Sequence, residues 1–429
     1  MQTQLQDKKK FKLTMTHQIA ITSVIGLVAG ILIGPAIAPV KIIGDIFLRL
    51  ITMGVPLIIL GSVAQAVGQI SSKDVGKLGL KIFTWFFVVT IVGAIIGISV
   101  GYLVKPGMGL PASDLVTTLK PTTQTIADTV LNFFPSNIIQ SMGNSSMIQI
   151  ILFALFLGVA ISKYTERTGD RSVLELITKG NTLLLDIIKM VMTKVAPLGV
   201  GALLAVVSGT LGLSVFLLMI KYLGGLTLAV VIIMFVFIMV TAAWCKVSPV
   251  RLAGKLINMT LVAAATTSSA VTLPTKMQDS EEKLGVSKRI SNLVNPLGMA
   301  LNSGGQAIFI SMASIMFIQY FQMDVSLGRL VQIIAVAVLG CMGSMAVPGG
   351  GLVVLISMMP VIGLPLEGIA LIAGVDWFRG AITTIPNVDC DALVAMCIAK
   401  DEGELDYEIF NGTKVYREES GAATNAVVD

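Results

Sequence analysis

Charge is what this sequence has least of. Only 13% of its 429 residues are Asp, Glu, Lys or Arg, where a soluble protein carries about a quarter. Aromatic residues make up 6%, and there is one histidine, His17. A histidine-based metal site or general base therefore has nothing to build on. The four cysteines, Cys245, Cys341, Cys390 and Cys397, lie in or beside apolar segments without metal-ligand spacing and read as small buried side chains. No Walker-type loop is present, which excludes nucleotide-driven transport within this chain. No Ser-x-x-Lys pattern follows the serine-rich segment at 266–275, and no histidine accompanies it, so a hydrolytic site has neither base nor motif. The formal charge of +5 sits in short loops and gives no reason to expect a nucleic-acid partner.

What is present is apolar: 55% hydrophobic residues, 42 glycines and a mean hydropathy of +0.87. The chain reads as an all-α integral membrane protein with room for roughly eight to ten helical crossings at ~20 residues each, and the glycines suit close helix packing. Apolar stretches cover about 17–38, 42–68, 78–104, 128–161, 178–210, 212–244, 256–278, 290–320, 327–362 and 365–399. DKKKFK at 7–12 leads into a first span that reads as retained rather than cleaved. Basic residues recur in alternate loops: Lys8, Lys9, Lys10 and Lys12, then Lys73, Lys77 and Lys81, then Lys163, Arg167 and Arg171, then Lys246, Arg251 and Lys255. Six conventional spans with a cytoplasmic N-terminus account for this alternation.

The stretch 256–278 breaks the pattern, because Lys283, Lys288 and Arg289 place a second basic cluster directly after it. A re-entrant hairpin turning near Ser268 and Ser269 removes the conflict. The stretch 327–362 breaks similarly at Ala346–Gly351, from the other side. Two oppositely oriented re-entrant helical hairpins, each beside a helix with a polar break, suggest an inverted repeat around a midplane solute site. The acidic segment from Asp401 onward reads as a soluble cytoplasmic tail. Its Asn411-Gly412-Thr413 matches a glycosylation acceptor that a cytoplasmic placement makes unusable.

Four polar segments carry the chemistry: TTSSAVTLPT at 266–275, NPLGMALNSGGQ at 295–306, GSMAVPGGG at 343–351 and TTIPNVDCD at 383–391. In this order and spacing they resemble the dicarboxylate/amino acid:cation symporters, the glutamate-transporter homologues, over about residues 15–400. The resemblance implies eight transmembrane helices plus two hairpins. Hairpin 1 is expected at about 252–282, helix seven at 288–320, hairpin 2 at 327–362 and helix eight at 365–400. It implies a homotrimer in the cell membrane, with both termini cytoplasmic. In each subunit a transport domain (residues 246–400 with spans three and six) would slide, elevator-like, against a scaffold from spans one, two, four and five of residues 15–245, while residues 1–14 and 401–429 stay in the cytoplasm.

By the same resemblance, Thr267, Ser268 and Ser269 form a tip that holds a substrate carboxylate, where a helix terminus attracts anions. Val347 and Gly351 belong to the second tip, an external gate in which glycine permits hinge dihedrals. Gly298, Asn302, Asn387 and Asp391 match one sodium site, and an ionised carboxylate inside a membrane protein is functional by default. A second site is weakened, because the family's acidic residue in helix seven is Gly304 here; Thr90 of span three matches its hydroxyl ligand. One or two Na+ sites are therefore expected, with a proton as the alternative coupling ion. Helix eight departs most. Gly380 stands where amino-acid-transporting relatives place an aspartate, and Thr383 where relatives place an arginine. Arg379, one turn before Thr383, either reaches the pocket, pairs with Asp376, or snorkels to the interface. Thr384, Asn387 and Gln306 add polar groups to the pocket. The expected function is secondary symport of a small carboxylate-bearing solute with a cation. Proton-coupled transport of an organic acid or neutral amino acid, and an anion-conducting channel, stand as alternatives.

Overall fold

The computed structural model describes residues 15–68, 77–109, 134–144, 146–212, 214–341, 350–373 and 375–414. The described residues form helices and connections, with one isolated antiparallel bridge between Val286 and Leu405. Helix α1 (Met15–Ile33) runs through a 3-10 turn at Gly34–Val40 into α2 (Lys41–Thr52). Then come α3 (Val55–Gly68), α4 (Lys77–Val104), the short α5 (Ile138–Gly143), α6 (Met147–Thr168), α7 (Ser172–Lys194), α8 (Ala196–Leu211) and α9 (Ser214–Cys245). The C-terminal part holds α10 (Pro249–Thr266), α11 (Ser269–Glu282), α12 (Lys288–Leu301) and α13 (Gly304–Tyr320). It continues with α14 (Leu327–Cys341), α15 (Gly350–Ile362), a one-turn α16 (Ala370–Ala373), α17 (Asp376–Asp401) and α18 (Tyr407–Asn411).

Among the described residues, five stretches are long and apolar enough to cross a membrane: Ile21–Phe47, Leu78–Val104, Leu217–Cys245, Lys288–Tyr320 and Phe378–Asp401. Together they make this a multi-pass membrane protein. Their environments differ. Leu32, Leu103, Ile220 and Phe235 are exposed on α1, α4 and α9, as lipid-facing residues would be. By contrast, every residue of α13 from Gly304 to Ile318 is buried, the mark of a helix enclosed by protein on all sides. Helix α17 packs against α9, α10, α11, α12 and α13, so α13 and α17 form the centre on which the polar breaks converge.

Glycine sets how closely these helices approach. A Cβ on Gly93 would lie 2.5 Å from the Gly304 carbonyl oxygen, and one on Gly97 would lie 2.6 Å from that of Ile308. This one-turn spacing on α4 lets its backbone lie against the start of α13. Gly26 and Gly30 do the same for α1 against α8, where added Cβ atoms would collide with the carbonyl oxygens of Gly201 and Ala205.

Two breaks interrupt the described C-terminal helices. Helix α10 ends on Thr267, which adopts a left-handed conformation with φ +52, and Ser268 then caps α11. Between α12 and α13 the chain is unwound at Asn302 and Ser303. Helix α17, by contrast, runs unbroken from Asp376 to Asp401: Pro386 has no N–H to offer the Ile382 carbonyl, yet the break expected there is absent. Gly305 presses against that same region, since a Cβ there would meet the Thr383 carbonyl oxygen and the Pro386 ring. The chain after α17 is folded as far as Lys414. Ser287 N donates to Glu404 O, and Asp406 N donates to Gly285 O. Hydrogen bonds from Arg289 and Ser287 hold the Glu404 carboxyl below the usual glutamate range.

The glycine seam makes a direct prediction. Gly93→Ala forces the Gly304 backbone to shift and should cost about 1–3 kcal/mol, seen as a lower unfolding temperature in detergent. Gly224→Ala, at a helical position with open space around it, should leave stability unchanged or raise it by up to ~1 kcal/mol.

Candidate functional site

The residues expected to bind solute lie at the α10–α11 break and on α13, α15 and α17. At the α10–α11 break, Ser268 Oγ accepts the Val271 N–H at 3.3 Å and Ser268 O accepts the Thr272 hydroxyl at 2.9 Å. Ser268 and Ser269 are buried. Thr267 faces Gly380 across the gap, with a Cβ on Gly380 3.5 Å from the Thr267 Cβ. The missing side chain at Gly380 thus leaves space between Thr267 and α17.

Arg379 enters this region. It is 4% exposed, and its guanidinium lies over the Phe309 ring at 4.4 Å. Its Nε and Nη2 donate to a single oxygen of Asp376, at 2.9 and 2.7 Å. The remaining terminal nitrogen, Nη1, meets Gln306 Oε1 and Thr383 Oγ1, each at 3.4 Å. Both contacts are beyond the usual range for N–H···O bonds. Gln306 Nε2 donates to Gly351 O at 3.1 Å, and a Cβ on Gly351 would collide with Arg379 Nη1. Arg379, Gln306, Thr383 and Gly351 are therefore brought together, from α17, α13 and the start of α15. Of the alternatives left open for Arg379, the pair with Asp376 is the one observed. The Thr383 and Thr384 hydroxyls donate to the Arg379 and Gly380 carbonyls, one turn back on their own helix. Val347 lies outside the described residues.

The second centre is Asp391, fully buried on α17. Asn302 Nδ2 donates to its Oδ1 at 2.7 Å. Gly298 lies against the carboxylate, where a Cβ would collide with it, while its own carbonyl accepts the Asn302 N–H at 2.8 Å. The other carboxylate oxygen is held by Lys276 of α11. Lys276 is 0% exposed, and its ammonium also donates to Asn295 O at 3.0 Å. Asn387 points elsewhere: its Oδ1 accepts the Gly305 N–H at 2.8 Å and caps the start of α13. Thr90 donates to Phe86 O on its own helix at 2.9 Å. It lines a small apolar crevice with Phe83, Phe86, Phe87, Leu301 and Val338. Around Gly304 the space for a side chain is bounded by Val89 and Ile233.

The residues present do not fit a sodium ion at Asp391, because the anionic oxygen and the neighbouring carbonyl that would bind one already face an ammonium. At Gly304 there is no carboxylate to supply charge. Sequence reasoning misses Lys276. Its signal is there: a lone cation two residues after Pro274, in an arm expected at membrane depth, where an ionisable residue calls for a partner. It also misses the companions of Asp389, whose Oδ2 accepts the Thr260 hydroxyl at 2.6 Å, and of Asp279, which takes Asn258 and Lys283.

A family model described as the sodium:dicarboxylate symporter family matches residues 15–401. The chain is 33% identical over 402 residues to the proton/glutamate-aspartate symporter of Bacillus subtilis (strain 168), covering 91% of this chain and 95% of the relative. It is 31% identical over 411 residues to the C4-dicarboxylate transport protein of the same organism, covering 93% and 96%. A proton/sodium-glutamate symport protein of that organism matches at 30% over 408 residues, covering 92% and 94%.

The Arg379–Asp376 pair can be tested apart from transport. Arg379→Met should destabilise the protein by about 3 kcal/mol, because it strands a largely buried carboxylate. Adding Asp376→Asn should recover most of that loss, read as the unfolding temperature of the purified variants.

Proposed function

The chain belongs to the sodium:dicarboxylate symporter family, and from that membership we infer a cation-coupled secondary transporter for a small carboxylate- or amino-acid-type solute. It is a transporter and not an enzyme. We propose that the solute is an anion held through a carboxylate by Arg379. The observation that carries this is the single guanidinium nitrogen left with long 3.4 Å contacts to Gln306 and Thr383 beside the bare Gly351, while Asp376 holds the opposite edge. A carboxylate would replace two long contacts with charge-assisted hydrogen bonds. Arg379 thereby serves the pocket from one turn before the position at which relatives carry their arginine. Gly380 offers no carboxylate to an amino group, which favours organic acids over aspartate or glutamate. Ser268 and Ser269 at the start of α11 would take a second carboxylate or hydroxyl.

In this reading α10–α11 and α14–α15 are oppositely inserted re-entrant hairpins within an eight-span fold, with both termini cytoplasmic. The hairpins, α12, α13 and α17 form the transport domain together with α4 and α9, and this domain moves elevator-like within a homotrimer. The burial of α13 and the dense contacts of α17 support treating that group as one moving body. A proton is favoured over sodium as the coupling cation, since neither expected sodium site has a free carboxylate.

Reconstitution in liposomes tests the proposal. Wild-type protein should take up a C4-dicarboxylate or a small monocarboxylate when a proton gradient is imposed, and a sodium gradient alone should not drive it. The double variant Asp376→Asn/Arg379→Met should raise KM for that solute by roughly tenfold or more, as the loss of a charged hydrogen bond of about 1.5–3 kcal/mol implies. Absence of uptake for every carboxylate tried, or an unchanged KM in the double variant, would refute the assignment.

A further inference from the structure

The transport reading leaves a buried charge without a role, the ammonium of Lys276. It sits where α11, α12 and α17 meet, touching the Asp391 carboxylate and the Asn295 carbonyl. Several groups around it suit a hard cation. Asp391 supplies an anionic oxygen, and Asn302 fixes the carboxylate through its amide nitrogen. Asn302 Oδ1, in a side chain 1% exposed, has no hydrogen-bond partner among the described residues. Gly298 keeps the helix backbone against the carboxylate where any side chain would collide with it. Hard cations are held by such carboxylate, carbonyl and amide oxygens. An ammonium carries the same unit charge as sodium and has three donors to satisfy on oxygens.

We propose that Lys276 is a tethered cation that takes the place of a sodium ion at Asp391 and so determines the ion specificity of the carrier. The proposal rests on the symporter reading only for its functional meaning; the site itself is decided by binding. Because the ammonium is covalently part of α11, it is never released on either side of the membrane. The Asp391 centre then balances its charge in every state and contributes no sodium to the transport stoichiometry. A purely structural tie between α11 and α17 would also bury this pair, but loss of its ammonium would weaken the protein equally in every salt.

Removing the ammonium should create a sodium site. Purified wild-type protein, without solute, should unfold at the same temperature in sodium chloride and in choline chloride. Lys276→Met frees the Asp391 oxygen and the Asn295 carbonyl together, and its unfolding temperature should rise with sodium by about 3 °C, the order expected for a ligand at a hundredfold excess over its Kd. Lys276→Arg keeps a resident cation and should show no sodium response. Lys276→Met/Asp391→Asn should lose the response that the single variant gains. A single variant recovered in sodium but not in choline leads to the same conclusion. The proposal fails if wild-type protein is stabilised by sodium and Asp391→Asn abolishes that effect. It also fails if Lys276→Met folds but ignores sodium, or is recovered in neither salt, since a vacated cation site must be refilled by the cation. None of these measurements involves uptake. A transporter that moves no carboxylate would refute the transport reading and leave this result standing, while sodium binding at Asp391 in wild-type protein would refute this inference and leave the carboxylate assignment to Arg379 standing.

Discussion

A lysine ammonium and an aspartate carboxylate each lose several kcal/mol of hydration when taken out of water, and here both are fully buried within a membrane protein. Their mutual contact is what makes either tolerable. The arrangement around them is shaped by that constraint. Asn302 leaves the helical path between α12 and α13 so that its amide can donate to Asp391. Gly298 stays bare to let the backbone pass. Asn295 turns its carbonyl to the ammonium while its amide donates to the Ser280 and Ser291 hydroxyls. The unwound backbone is thus covered by protein polar groups, the condition under which non-helical chain is tolerated at membrane depth.

The solute site proposed around Arg379 uses the same device elsewhere on α17. Asp376 neutralises Arg379 from one edge, which allows the guanidinium to be buried without a bound anion. Its remaining nitrogen makes only long contacts, so an entering carboxylate competes with weak partners rather than with Asp376. The glycines at 351 and 380 keep side chains out of that space. The pair thus leaves no uncompensated charge at this point of α17.

The breaks are legible in the sequence because they are local backbone events. The Thr-Thr-Ser-Ser run places a turn near Ser268 and Ser269, and the structure bends at Thr267 and Ser268. Asn302 is likewise a residue that leaves the helical path, whereas the break expected at Pro386 is absent, since α17 runs on through it. Partnerships across the fold are not legible in this way. Lys276 and Asp391 are 115 positions apart, and nothing in either local pattern names the other. Asn387 is polar at the expected position, but its oxygen goes to the Gly305 N–H, a demand created only when α13 starts beside α17. Gly304 reads in the sequence as a lost charge. Only packing shows that Val89 and Ile233 border the space where a side chain would stand.

A resident cation also changes what an empty carrier can do. A domain with an unpaired Asp391 would carry net charge through the membrane, and work against the potential amounts to about 2.3 kcal/mol per elementary charge per 100 mV. That barrier makes ordinary coupling strict, because the unloaded site resists the crossing until its cation arrives. With Lys276 on Asp391 and Arg379 on Asp376, neither centre imposes it. In the proposed reading, coupling would then arise at the solute itself, where the incoming anion meets Arg379. The ion that accompanies transport would be the one that restores neutrality there, which is why the solute pocket, more than the family's usual cation site, would set the coupling of this protein.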